Sequence, residues 1–472
     1  MKRREFIGGA TALSLLPVLS SCARTAEKTD VVIIGAGLSG LHAAKLLADS
    51  GKEVVILEGR ERIGGRVFSL DQVNGSPEAG ANTMFMAYGR TLDAARSHGV
   101  GLVEMAERRT PGMTYFVKDE VIRTAEEWAR SPANPFPAAN KAQLPGSLPF
   151  EEFARLSKEA TGDPWCDPVN APFDIPMSQV LADLGFSPEQ IALSYDTNPS
   201  QGITADNTSL INWIAANRFF AQQLAIGPEE YAVKGGNSRL PEAMAKALDA
   251  DIRLGQAVER VSGDETGVTI DYGGGKSIRA DHAICTATFG AMRNMAFDPG
   301  LPELHAKAVA EVPQNWITQV HMETTAPFWE DDELSPSMWT DTAAGIVFPS
   351  KGSEDPHEIT SLTAWGRGAN AARLDKLSEK EAGELILSEI ERIRPAAKDK
   401  LRVAGFKSWQ NDPFSAGDWV AWAPGQATTL PQASSKPHGR VHFAGEHTSV
   451  VARGMEAAME SGERAALEIL SA

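Results

Sequence analysis

The stretch that most constrains this chain is residues 31–66, VVIIGAGLSGLHAAKLLADSGKEVVILEGRERIGGR, where a strand, a glycine turn, a helix and a second strand follow one another without interruption. Val31 to Ile34 is apolar and β-branched throughout, as a strand buried on both faces in a parallel sheet must be. It runs straight into Gly35, Gly37 and Gly40 at GxGxxG spacing. At that spacing Gly35 permits the tight turn and Gly37 lets a pyrophosphate approach the backbone. Gly40 lets the following helix, read here as 38–50, pack closely on the strand with its amino end toward the phosphates. Gly51 ends the helix. A second strand, 53–57, leads to Glu58, about twenty residues past the glycines, where a carboxylate accepts hydrogen bonds from a ribose diol. An ordinary βαβ unit is the plain alternative, since glycine turns are common. The apolar strand, the helix and the carboxylate together read as a dinucleotide site.

Past Glu58 the chain places Arg60, Arg62, Gly64, Gly65 and Arg66 in the order Glu-x-Arg-x-Arg-x-Gly-Gly-Arg. This adds close-approach backbone and two or three guanidinium groups for phosphate. The run resembles the FAD fingerprint of the flavin-dependent amine oxidase family. At the other end of the chain, VHFAGEHTSVVARGMEAAMESGERAALEIL (441–470) resembles the same family's final signature, a strand ending in Gly-Glu followed nine residues later by Met-Glu and a helix. The resemblance implies an α/β fold of two interleaved domains. A Rossmann-like FAD-binding domain would take 30–90, 231–300 and 405–472, and an α+β substrate-binding domain 91–230 and 301–404.

The resemblance also implies FAD contacts at Gly35, Gly37, Ser39, Gly40, Glu58, Arg60, Gly65 and Arg66. Gly80, Ala81, Asn82 and Thr83 would run their backbone along the isoalloxazine ring, and a backbone group of Val258 would meet the adenine. Gly445 and Glu446 would serve the ribityl or pyrophosphate side. Gly454 and Met455 would bring helix amides to the flavin N1 and C2 carbonyl edge, where negative charge appears on reduction. Members with covalent flavin have a cysteine where this chain has Asp418, so FAD is expected to be non-covalent.

The family oxidises the carbon beside an amine nitrogen, passing a hydride equivalent to the flavin. Trp419 matches an aromatic wall of the family's substrate cage. The opposite wall, a tyrosine in some members, is Gly454 here. Trp409 matches a tryptophan near the flavin, and core packing is the plain alternative for both indoles. Gln319 falls where many members have a lysine that assists reaction with oxygen. A glutamine cannot carry that charge, which leaves O2 and a periplasmic quinone or cytochrome both open as electron acceptors. The substrate expected is a small amine or amino acid. A carbon–carbon desaturase acting on carotenoids or porphyrinogens shares both FAD signatures but is less like the GDWVAW segment. A flavin-binding lipoprotein without catalysis is the third reading.

Net charge of −17 with no basic stripe after the first few residues argues against a nucleic-acid partner. Three cysteines with no CxxC and no His/Cys cluster indicate neither a metal site nor a disulfide framework. His42, His321, His442 and His447 show no catalytic spacing and read as structural. Lys2, Arg3 and Arg4 precede Phe6, Ile7 and an apolar run to Leu19 that is too short to span a bilayer. The pattern resembles a twin-arginine export signal. Leu19 to Cys22 resembles a lipobox, with plain cleavage as the alternative, so a periplasmic enzyme is expected, anchored to the membrane only if Cys22 carries lipid. The segment KSWQNDPFSAGDWVAWAPGQ (407–426) resembles the family's aromatic-rich strand pair.

Overall fold

In a computed structural model, which describes residues 27–148, 150–162, 164–351 and 358–472, the first strand runs Glu27–Ile34. It pairs in parallel with Val54–Leu57 on one side and Lys276–Cys285 on the other. Val31, Val32, Ile33 and Ile34 are all buried because both faces of the sheet are covered. Each such side chain contributes about 1.5–3 kcal/mol relative to exposure. The export signal and the anchor at Cys22 lie outside the described residues.

The helix after the glycine turn is Leu38–Asp49, and Gly51, at φ +82°, closes it with an amide to the Ala48 carbonyl. A Cβ on Gly40 would stand 2.1 Å from the Gly35 carbonyl oxygen, so the helix meets the strand at a separation only glycine allows. The C-terminal helix, Gly454–Leu470, packs on this first helix in the same manner: a Cβ on Gly462 would lie 2.3 Å from the Ser39 carbonyl oxygen. The two ends of the chain are thus locked together where their glycines face.

The first sheet has eight strands, drawn from the amino end, from four strands between Asp251 and Cys285, from Ala296–Asp298 and from Val441–Phe443. A second sheet of seven strands combines Thr114–Val117 and Glu120–Ile122 with five strands between Ile317 and Ser408. This is a mixed α/β fold with interleaved sheets. One face of the second sheet presents Val320, Met322, Val347, Leu362 and Ala364 to Ala382, Ile386 and Ile390 of the Glu379–Ile393 helix. That helix starts with a complete Ser378–Glu381 capping box. The opposite face of the sheet is left for the cavity described below.

The aromatic segment after Ser408 is not a strand pair. The strand ends at Ser408, and a single bridge, Gln314 to Val420, is the only ladder contact in the stretch. Pro413, Pro424 and the positive φ of Ala416 and Gly417 break the extended run. Trp409 and Trp422 are buried all the same. Between 90 and 230 the expected helices form, together with the unexpected short strands Leu102–Glu104, Thr114–Val117 and Glu120–Ile122.

Candidate active site

One cavity of about 1340 Å³ runs between the two sheets. That is more than the roughly 300–1,000 Å³ a single drug-sized ligand needs. It starts at Glu58, passes Gly35, Gly37 and Ser39, and continues by Gly65, Arg66 and the 80–83 loop to Gly454 and Met455. Val258, Gly445, Glu446, Trp409, Trp419 and Gln319 also stand on its wall. The fold therefore gathers on one surface every residue expected to hold the cofactor except Gly40, whose part is the helix–strand contact.

The nucleotide end is built from backbone. Two helices begin at the cavity, Leu38–Asp49 and Gly454–Leu470, and neither has a side-chain cap. Their first amides are left for a ligand, and the positive ends of both helices point at it. Side-chain caps occur on some other helices, for example at Ser209, Thr288 and Ser378, and are absent from others, such as Arg239–Ala247 and Glu303–Glu311. Glu58 is 3% exposed and accepts the amides of Ala36 and Arg60 at 2.9 Å each. The next carbonyl in the chain to matter is its own, which takes the Gln256 amide at 2.8 Å and so ties the strand end to the Val258 segment. The ladder joining Val258–Asp264 to Ala296–Asp298 starts only at Arg260, which leaves the outer edge of Val258 on the cavity. Gly80 lies where a Cβ would be 1.9 Å from the Arg66 carbonyl oxygen. Trp409 holds this loop through an indole bond to the Ala79 carbonyl at 2.6 Å.

The arginines do not stand free for phosphate. Arg60 is bonded to Asp412 and Ser415, both at 2.7 Å. Arg62 braces the carbonyls of Ile63 and Gly65 and lies over the Phe68 ring. Arg66 donates to the Asp418 carbonyl and approaches Glu446 at 3.2 Å. Groups close in space but some 350 residues or more away in sequence have claimed Arg60 and Arg66, and carbonyls of its own turn have claimed Arg62. Uncapped helix amides, the Glu58 carboxylate and glycine-lined backbone remain, and that donor set suits the pyrophosphate and ribose of FAD.

The other end of the cavity is built from side chains on the free face of the second sheet. Gln319 faces Trp365 across one strand pair and Lys407 across the other. Thr363, Trp365 and Arg367 follow at every second residue, and Phe348 lies opposite Thr363. Gln319 is buried with its Oε1 unpartnered, and the indole nitrogen of Trp419 is likewise unpartnered. Burial lowers the Lys407 ammonium, against the pull of Asp412, which it meets at 2.7 Å; it also lies 4.3 Å from the Trp409 ring centre. Burial pushes the Asp418 carboxyl up to about 6, against the opposing fields of Arg66 and Arg367.

Tyr88 is a residue the sequence reading missed. It precedes the Gly89–Ser97 helix, is buried, and its hydroxyl stands 2.8 Å from where a Cβ on Gly454 would be. The wall that the glycine leaves open is thus occupied from another element. None of these four histidines lines the cavity: His42 meets Glu463, His442 meets Glu468, His447 packs on Phe289, and His321, on the same sheet face as Gln319, is bonded to Thr363. Cys166 and Cys285 are buried and free, with burial pushing their thiols up to about 11 and about 12. Among the described residues no cluster of His, Cys, Asp and Glu could hold a metal ion, and no helix is long and apolar enough to cross a membrane.

A family profile described as flavin containing amine oxidoreductase matches residues 38–470. The chain belongs to this family. An L-amino-acid oxidase of Bothrops moojeni is 25% identical over 464 residues, covering 95% of this chain and 90% of that protein. An L-amino acid oxidase of Cerastes cerastes is 25% identical, covering 96% and 89%. Among solved structures, putrescine oxidase bound to putrescine superposes with a TM-score of 0.76 at 22% identity, over 94% of this chain and 99% of that one. Cyclohexylamine oxidase from Brevibacterium oxydans IH-35A gives 0.76 at 24% identity over the same shares. These likenesses establish the fold, and the family establishes a flavin-dependent amine oxidoreductase with FAD as its cofactor.

Proposed function

We propose that this chain oxidises the C–N bond of a small amine or amino acid to an imine inside the side-chain-lined end of its cavity. The observation that carries the reading is the continuity of one cavity from the Glu58 carboxylate and two uncapped helix starts to a chamber walled by Trp365, Trp419, Phe348 and Gln319. Bound FAD supplies the redox chemistry by accepting a hydride equivalent from the carbon beside the nitrogen. The chain's own part is to hold, orient and exclude water. The amides at Gly454 and Met455 offer positive potential to charge that develops at the cofactor. Trp419, Trp365 and Phe348 supply apolar walls on which a neutral amine can sit. The buried, unpartnered oxygen of Gln319 offers an acceptor for a water or a substrate N–H.

Reoxidation uses O2 or a periplasmic electron acceptor, and export follows the twin-arginine route with Cys22 as a lipid anchor. The supports for export are the Arg3, Arg4, Phe6 and Ile7 pattern and the apolar run that ends at Cys22. Replacing Cys22 by Ser should move the protein from membranes to the soluble periplasmic fraction. The catalytic reading is tested by anaerobic bleaching of the bound flavin with a panel of amines and amino acids, followed by air. Bleaching by one class is expected. A flavin that no amine or amino acid bleaches would return the chain to the desaturase or non-catalytic reading.

A further inference from the structure

Arg367 ends the Ile359–Arg367 strand opposite Ile317, on the face that carries Thr363 and Trp365 into the cavity. Its guanidinium carbon lies 4.9 Å from the Trp365 ring centre. Its Nε is buried without a partner, and among the described residues no carboxylate comes within ion-pair distance of it. Asp418, further along the same wall, acts on it only through space.

Another buried arginine of the same half of the molecule is held quite differently. Arg394 is 1% exposed and makes bonds to both Asp332 oxygens and to the carbonyls of Leu334 and Ser335. Such saturation is what removal of a guanidinium from water requires. Arg367 has the same chemistry and none of these partners. A planar fork stacked on an indole, with its donors open to a cavity, is suited to receive a carboxylate with two parallel bonds.

We propose that Arg367 selects the substrate by binding a carboxylate carried beside the oxidised amine, so that amino acids are preferred to amines with the same side chain. The inference rests on the proposed C–N oxidation, and two readouts keep the failures apart. The first is a titration of the FAD-loaded protein with benzoate, a carboxylate that cannot be oxidised here, followed by the flavin's visible absorbance. The second is the ratio of anaerobic reduction efficiencies for L-phenylalanine over phenethylamine and for L-ornithine over putrescine.

In the natural protein benzoate should perturb the flavin spectrum and both ratios should favour the amino acid. Arg367→Met, compared at equal FAD content, should weaken benzoate and lower both ratios by about 30- to 100-fold, the range for a lost charge-assisted hydrogen-bonded pair. Arg367→Lys keeps the charge without the fork and should lose about tenfold. If Arg367→Met yields no flavoprotein, the lysine variant decides, with unchanged benzoate affinity and unchanged ratios overturning the proposal. A natural protein that favours the amines overturns it too, while C–N oxidation stands. If neither amines nor amino acids bleach the flavin, the oxidation reading fails, and the benzoate titration still decides what Arg367 binds.

Discussion

The two walls of the cavity are made in different ways. The nucleotide wall is backbone held by glycines: Gly40 against the Gly35 carbonyl, Gly80 against the Arg66 carbonyl, Gly462 against the Ser39 carbonyl. The substrate wall is a row of alternate side chains on one sheet face, Gln319, Thr363, Trp365, Arg367 and Phe348, with the Gln319 Oε1 and the Arg367 Nε left without partners. A backbone wall tolerates no added atom, whereas a side-chain wall can be rewritten residue by residue while the sheet behind it stays packed. This division lets one family keep a cofactor and change its substrate.

The strongest test of that contrast is a pair of substitutions. Gly40→Val places atoms inside the Gly35 carbonyl contact and is expected to cost about 4 kcal/mol or more, enough to lose soluble folded protein. Phe348→Leu on the substrate wall is expected to cost about 1 kcal/mol, measured by chemical denaturation. Equal costs would show the two walls to be built alike. Next in size, Glu58→Ala strands the amides of Ala36 and Arg60, at about 1–3 kcal/mol each, and removes the ribose acceptor. FAD content after purification should fall by about tenfold or more. Full FAD content would mean that glycine backbone alone holds the cofactor.

The same contrast explains what could be read in the sequence. The nucleotide wall is contiguous in 31–66, and its glycines are fixed by spacing, so the strand, helix and carboxylate were all legible. The fates of Arg60 and Arg66 were not, because Asp412 and Asp418 lie 352 residues away. The substrate wall left almost no trace. Ile317–Thr324 is buried on both faces for most of its length, so no polar alternation marks which side chains face the cavity. Gln319 was singled out only through the family resemblance. Arg367 had a weak signal, a lone charge closing the otherwise uncharged run ITSLTAWG, and Tyr88 had none, since its role depends on a glycine in a distant helix.

A smaller effect is expected at Gln319. The resemblance puts a lysine there, and across the strand pair stands Lys407, whose charge is already engaged with Asp412. Gln319→Lys would add a cation that is not so engaged, and reoxidation of the reduced flavin by O2 is expected to speed up on the order of tenfold. Stopped-flow mixing with air-saturated buffer measures it, and an unchanged rate would remove oxygen reactivity from this position.

The finest comparison lies within one loop, where Asp412 serves the nucleotide wall and Asp418 the substrate wall. Burial works to raise both carboxyls. At Asp412 the neighbouring Arg60 and Lys407 win and hold it below its usual value, while at Asp418 burial wins and lifts it to about 6. The signs for stability are opposite. A depressed carboxyl binds its proton less tightly in the folded state, so Asp412 stabilises the fold above the unfolded carboxylate's pKa and loses that contribution as pH falls through its own lower value. A raised carboxyl binds its proton more tightly when folded, so the stability linked to Asp418 is fully present below the unfolded value of 3.8 and is lost as pH rises toward 6. At pH 8, Asp412→Asn should therefore lower the melting temperature and Asp418→Asn should raise it, each by about 2 °C for a chain of this length. Both differences should shrink in acid, the Asp418→Asn gain vanishing near pH 4. If the two substitutions shift the midpoint in the same direction at pH 8, the walls do not differ in how they hold charge. The division between a cofactor wall whose charged side chains pair with one another and an open substrate wall would then rest on the glycines alone.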